Sequence, residues 1–296
     1  MSNISASTSD ARSPGVQAAL SVLEAISAHG PQTLADLSSE LGVAKSSLHR
    51  VCRILTERSW IYRHPDGRFD LGIRAIGMGA RSMELPIVTA FRGVAAELLT
   101  KHDETVCLAI VDGEDSVYVA LEETSQPVRL VTSVGRRTPA FASASGRVFL
   151  ASRTPETISS VYAGRALVTP TGRRLNGVTE LAGILAEVRA RGYAENDGET
   201  AEGLYTISVP VTNEAGAVLS SLTMCVPTSR ATGSRRRQMA ADMVIAGVRL
   251  SEMVNWLPAW NATRPEPSKP YLFEGPPSLD QQIETPVTRP LVSEAG

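Results

Sequence analysis

A chain of 296 residues, 43% of them hydrophobic, is long enough for about two globular domains and rich enough in apolar side chains to bury a core in each. Its formal net charge of −2 excludes a protein that coats a polyanion along its whole surface. Any contact with nucleic acid must come from a local concentration of basic groups.

Residues 1–13 are Ser-rich and lack the apolar stretch of an export signal, so they read as a disordered lead. No run approaches the roughly 18 apolar residues of a membrane span. The expectation is a cytoplasmic protein with no membrane partner. A first helix is expected after Pro14-Gly15, with Val16, Leu20, Leu23 and Ile26 on its buried side and Gly30-Pro31 as the stop. Thr33 stands where an N-cap belongs, and Asp36 three residues on supplies a shortened capping box. Leu34, Leu37 and Leu41 give that second helix its buried side, and Gly42 ends it.

The third helix carries two stripes. Leu48, Val51, Cys52 and Leu55 recur with helical period and should face the core. Ser46, His49, Arg50 and Arg53 follow the same spacing displaced by two residues, roughly 200° around the axis, and should face outward. Two short helices around a tight turn, the second basic, are the layout of a helix-turn-helix DNA reader, with Lys45, Ser46 and Ser47 at the positive end of the reading helix. WIYRHPDGRFDLG then reads as a hairpin turned at Pro65-Asp66-Gly67, a wing with Arg63, His64 and Arg68 at its tip. Six basic residues stand against two acidic ones between Lys45 and Arg68, the local concentration that DNA binding requires. The DNA-contacting set is therefore Lys45, Ser46, Ser47, His49, Arg50, Arg53, Arg63 and Arg68. A helix-turn-helix that contacts protein, with incidental arginines on its hairpin, is the alternative.

Residues 14–72 thus form a winged helix-turn-helix domain. Over residues 73–89, Ile76, Ala80, Met83 and Ile87 at helical spacing predict a linker helix that packs against its twin in a dimer or against its own domain. Residues 90–256 form a second domain. A helix near Ile87 to Lys101 leads into the hairpin TVCLAIVD and SVYVALEE, and VRLVTSV predicts a further strand. A short helix at SASGRVFLA and another near Val178 to Arg191 precede strands at Tyr205 to Val211 and Ala217 to Val226, and a last helix runs from Arg235 to Trp256. The class is α+β, an antiparallel sheet with flanking helices. The acidic run from Glu195 to Glu202 reads as a solvated loop over a pocket. Residues 257–296 are a Pro-rich tail expected to be disordered.

Cys52, Cys107 and Cys225 are dispersed without a C-x-x-C pair, so they predict core thiols and neither a disulfide nor a metal site. Ser143, Ser145 and Cys225 are the candidate nucleophiles, but no G-x-S-x-G elbow, neighbouring His or phosphate loop accompanies them. No enzyme activity and no cofactor are expected.

L-x-x-x-L-G-V-A-K-S-S-L-H-R from Leu37 to Arg50, with the wing and LGIRAIGMG from Leu71 to Gly79, resembles the winged helix-turn-helix of IclR-type transcriptional regulators. ETVCLAIVDGEDSVYVALEE, VGRRTPAFASASGRVFLA, RGYAENDGETAEGLYTISVPV and LSSLTMCVPTSR resemble, in order, that family's ligand-sensing domain. The resemblance implies a GAF-like domain whose small-molecule pocket is capped by the loop from Val128 to Pro139. Its effector-binding positions fall on Ala144, Ser145, Asn196, Thr206, Thr223 and Cys225. Thr223 and Cys225 alternate by two and so share a sheet face. Hydroxyls, an amide and helix N-terminal N–H groups would suit a small carboxylate or oxygenated organic acid. Many members carry an acidic residue where Asn196 stands, Cys or Ser at Thr206 and Lys at Arg147, so the ligand class of relatives does not carry over. The resemblance also implies a palindromic double-stranded operator bound by a homodimer or a homotetrameric dimer of dimers. The expected function is a ligand-responsive repressor of a catabolic operon for an organic acid or aromatic compound. An activator of the same architecture, or a DNA-free sensory or scaffolding protein, remains the alternative.

Overall fold

A computed structural model describes residues 13–82 and 84–255; the expectations of a disordered lead and a disordered tail lie outside the described residues, save for Ser13. The chain divides into two units, Met1–Leu85 and Pro86–Gly296.

The first unit runs α1 (Pro14–His29), α2 (Leu34–Leu41), α3 (Lys45–Glu57), β1 (Ile61–Arg63), β2 (Phe69–Leu71) and α4 (Ile73–Ser82). Thr33 Oγ1 accepts from the Asp36 N–H at 3.2 Å while the Asp36 carboxylate accepts from the Thr33 N–H at 3.0 Å, so both halves of the capping box form. Gly42 then turns the chain in the left-handed region at φ 63°, a conformation costly for a residue with a Cβ. Val22, Ile26, Leu37, Leu48, Cys52, Leu55, Ile61 and Phe69 make one small core, as the period of α3 requires. In α1 the buried side is the expected one only in its second half, at Leu23 and Ile26. Ala18, Val22, Ala25 and Ile26 face inward, and Val16 and Leu20 stay 59% and 55% exposed. Small residues at 18 and 25 let α1 lie close to its partners, which the larger side chains would hold apart.

β1 pairs antiparallel with β2, Ile61 opposite Leu71 and Arg63 opposite Phe69. A contact that periodicity does not reveal ties this hairpin down: Gln32 exchanges backbone hydrogen bonds with Phe69 at 3.0 and 2.7 Å, just before the cap of α2. In place of one linker helix over 73–89 there are two helices, α4 and α5 (Pro86–His102). Pro86 explains the break, since it lacks an N–H and suits only the first turn of a helix.

The second unit continues from α5 with β3 (Thr105–Asp112), β4 (Asp115–Glu122), β5 (Arg137–Pro139), α6 (Ala144–Ala151), α7 (Pro155–Tyr162), α8 (Gly177–Arg191), β6 (Ala194–Asp197), β7 (Leu204–Thr212), β8 (Val218–Pro227) and α9 (Gly233–Asn255). The strands form one antiparallel sheet in the order β5-β4-β3-β8-β7-β6. Registers Ile207↔Met224, Val209↔Leu222 and Val106↔Met224 put Val106, Leu108, Ile207, Val209, Leu222 and Met224 on one face, covered by α5 and α9. Thr206↔Cys225, Ser208↔Thr223 and Cys107↔Thr223 put small polar and sulfur side chains on the other face, covered by α6 with α8 behind it.

Two expectations fail here. VRLVTSV forms no strand; Asp103 holds Thr124, Ser125 and Gln126 by side-chain hydrogen bonds, and Arg230 donates to the Val128 carbonyl at 2.9 Å, so side chains rather than a ladder fix this segment. The run Glu195 to Glu202 is not simply solvated. It begins as the edge strand β6, and Glu199 is buried in ion pairs with Arg147 and Arg173. Buried carboxylates need such partners, because desolvation otherwise costs several kcal/mol per ion.

A Cβ added at Gly146 would land on the backbone of Ala140, so α6 can sit this close to the preceding loop only with glycine there. Gly146→Ala should lower stability by about 2 kcal/mol, read as a melting temperature several degrees down; an unchanged melting curve would contradict the packing described. Thr33→Ala should cost about 1 kcal/mol in urea unfolding through loss of the capping box, and no shift in midpoint would show that the cap contributes nothing.

Candidate DNA-reading face and effector cavity

Helix α3 turns Leu48, Cys52 and Leu55 inward, which leaves Lys45, Ser46, Ser47, His49, Arg50 and Arg53 together on exposed surface. Ala44 at its N-cap offers no side-chain acceptor, so the leading amides of α3 are available to a phosphate oxygen. Lys45 and Arg50 have no ion-pair partner among the described residues, whereas Arg53 bridges to Glu57 one turn on at 3.1 Å. That exposed pair is worth little and would yield readily to a phosphate.

On the hairpin, Arg63 and Arg68 are both exposed but less available. Arg68 is bound to Asp66 at 2.8 Å, and Arg63 lies 5.6 Å over the Phe69 ring and reaches the Gly67 carbonyl. The Arg68 backbone and side-chain donors hold the Asp66 carboxyl below its usual range, so the tip is an internally paired turn. His64 is half-buried, 3.5 Å from Asp70.

In the second unit, Ala144, Ser145 and Thr206 line a cavity of about 20 Å³ together with Tyr118, Leu130, Arg136, Thr138, Ser143, Thr200 and Leu204. Ser143 caps α6 by accepting from the Gly146 N–H, and Ser145 Oγ lies 2.7 Å from Ser116 Oγ on β4. Thr206 is 4% exposed, and its hydroxyl has no partner among the described residues. The volume matches about one water molecule. This conformation is therefore nearly closed.

The other three expected positions do not line the cavity. Thr223 shares its sheet face but is hydrogen-bonded to Ser208 at 2.7 Å. Cys225 lies beneath, 3.7 Å from the Tyr118 hydroxyl and against Cys107. A hydrogen bond donated by the Cys107 thiol holds Cys225 below its ordinary value against the effect of burial, while the Cys107 thiol is pushed up. Asn196 is turned into the framework: its amide donates to the Ala142 carbonyl and accepts from the Glu199 N–H at 3.1 Å. Next to it, Arg147, 3% exposed, forks onto Glu199 and donates to the Phe141 carbonyl at 2.9 Å, which fixes the base of Thr200 on the rim. Of the lining residues not named from the sequence, Leu130, Arg136 and Thr138 fall on the segment expected to cap the pocket, whereas Thr200, Tyr118 on β4 and Leu204 on β7 are brought there by the fold.

Family models match both units: the IclR helix-turn-helix domain over residues 15–65 and the bacterial transcriptional regulator IclR C-terminal domain over residues 81–251. The chain is 25% identical over 237 residues to the HTH-type transcriptional regulator KdgR of Escherichia coli, covering 79% of this chain and 90% of that one. It is also 25% identical over 232 residues to the acetate operon repressor of Salmonella typhimurium, covering 77% and 85%. Among solved structures it is similar to an IclR transcriptional regulator from Alicyclobacillus acidocaldarius, with TM-score 0.75, 27% identity and coverage of 82% and 99%. An IclR homologue from Microbacterium hydrocarbonoxydans complexed with 4-hydroxybenzoate shares the fold, with TM-score 0.68 at 21% identity over 81% and 98% of the two chains. A basic, outward-facing reading helix with its wing, followed by a sheet domain within a family-model match over residues 81–251, makes this chain a member of the IclR family of bacterial transcriptional regulators.

Proposed function

We propose that the protein is an effector-responsive, cytoplasmic repressor that binds a palindromic operator as a homodimer or dimer of dimers and controls a catabolic operon for a small organic acid or aromatic compound. The observation that carries this reading is the pairing, in one chain, of a reading helix with unpaired Lys45 and Arg50 and a small cavity bordered by Ala144, Ser145 and Thr206. A hydroxyl that borders a cavity and has no protein partner is free to hydrogen-bond a ligand group that enters there. The sign of regulation is supported by the acetate operon repressor, and a small aromatic acid by the family member complexed with 4-hydroxybenzoate. Self-association is supported by the apolar side chains left on the surface of the first unit: Val16 and Leu20 on α1, and Ile73 and Ile76 on α4 at 70% and 64% exposure. Two copies double the few base contacts that one small module can make.

Ala144, Ser145 and Thr206 would meet the effector directly. Asn196, Thr223 and Cys225 would act on it through the framework they hold. Lys45, Ser46, Ser47, His49, Arg50 and Arg53 would read the operator, while Arg63 and Arg68 would reach the backbone beside it after exchanging Asp66 and Phe69 for phosphate.

Footprinting upstream of the neighbouring genes would locate the operator. Arg50→Ala should then weaken operator binding and reduce the slope of log affinity against log salt by about 0.9 for the lost phosphate contact; an unchanged slope would contradict DNA reading by α3. Thr206→Val should weaken the operator's response to the effector while DNA affinity without effector stays at the wild-type value. Equal loss of both would instead indicate a damaged fold.

A further inference from the structure

Arg136 and Arg137 are adjacent and chemically identical, yet the fold treats them oppositely. Arg137 is bound to Asp112 at 2.8 Å and to Asp115 at 3.1 Å. Arg136 lines the cavity and has no carboxylate partner among the described residues. Its backbone is fixed where it stands: the Tyr118 N–H donates to the Arg136 carbonyl at 3.1 Å, and the Gly135 N–H donates to the Tyr118 carbonyl at 2.7 Å. No Asp or Glu belongs to the cavity lining, in which Arg136 is the one charged residue beside Tyr118, Thr138, Ser143, Ser145, Thr200 and Thr206. Its remaining side is apolar, at Leu130 and Leu204.

We infer that Arg136 is the charge-selecting residue of the effector cavity, admitting a small monocarboxylate whose uncharged body lies toward Leu130 and Leu204. This rests on the effector reading above. It adds a residue outside the six carried over from the family, and it specifies the charge of the ligand.

The chemistry is direct. A guanidinium offers two parallel N–H donors to a carboxylate, and such charge-assisted pairs are shorter and about twice as strong as neutral hydrogen bonds. Arg136 is exposed, so water solvates it until a ligand replaces that water. Hydroxyls can accept as well as donate and do not by themselves favour an anion; the unpaired cation does. The same charge acts on Tyr118 in the lining and on Cys225 beneath it, favouring their ionised forms, although burial dominates at Tyr118 and the Cys107 thiol at Cys225. Because the cavity holds about one water, a monocarboxylate enters only as the lining side chains move apart.

The test is calorimetric titration of the full chain with pyruvate, benzoate and 4-hydroxybenzoate, and with the corresponding amides pyruvamide, benzamide and 4-hydroxybenzamide. At least one acid should bind and its amide should bind at least tenfold more weakly. Arg136→Ala should reduce affinity for that acid at least tenfold, and Arg136→Lys should recover part of it. Circular dichroism of Arg136→Ala should be unchanged, since the side chain supports nothing else. Acid and amide binding equally, or acid binding indifferent to Arg136→Ala, would overturn the role of Arg136 while leaving an effector cavity. Failure of every acid and amide to bind would overturn both.

Discussion

Strands β3, β7 and β8 are covered on both sides, and a strand covered on both sides still presents alternate side chains to each. In this chain the alternation separates chemistry. Val106, Leu108, Ile207, Val209, Leu222 and Met224 face α5 and α9, and burying each such side chain stabilises the unit by roughly 1.5–3 kcal/mol. The intervening Cys107, Thr206, Ser208, Thr223 and Cys225 face α6, where apolar residues would pack better. The apolar face makes the unit stable enough for the polar face to be imperfectly satisfied. The cavity lies between Thr206 on the sheet and the first turn of α6.

The cavity's surroundings are held by ion pairs rather than by more apolar packing. Glu199 with Arg147 and Arg173 fixes one rim. Glu104, fully buried, is held by Arg230 and Arg235, and Arg230 extends to the Val128 carbonyl on the capping segment. Buried pairs of this kind add little net stability over apolar side chains of the same size, but they fix geometry, because losing either partner leaves a buried charge unpaired.

The parts legible in the sequence were those whose cause is local. The stripe Leu48, Cys52, Leu55 and the cap of Thr33 by Asp36 are set by residues three and four apart, and both are seen as expected. Where partners are distant in sequence, the reading was less complete. The side of α1 that is buried depends on which neighbours it meets, and Gln32 joins a strand that begins at Phe69. The segment at Val128 has the composition of a strand but is held by Asp103 and Arg230, and Glu199 looks like surface acid until Arg147 is placed beside it. Arg136 was passed over for the same reason: nothing local distinguishes it from Arg137 until Asp112 and Asp115 are seen to claim only one of the two.

On the proposed function, the two units, each with its own core, would act as a coupled pair of binding sites. If ligand in the cavity changes the DNA affinity of α3, thermodynamic linkage requires operator DNA to change the ligand affinity by the same factor, with couplings of this type falling in the range of about 5–150-fold. The most direct test is to titrate the protein with its effector acid by calorimetry, alone and saturated with operator duplex, and to compare the ratio of the two ligand affinities with the ratio of DNA affinities measured with and without ligand. The two ratios should agree and differ from one. Ligand binding with the same affinity to the free and the DNA-bound protein would contradict the account.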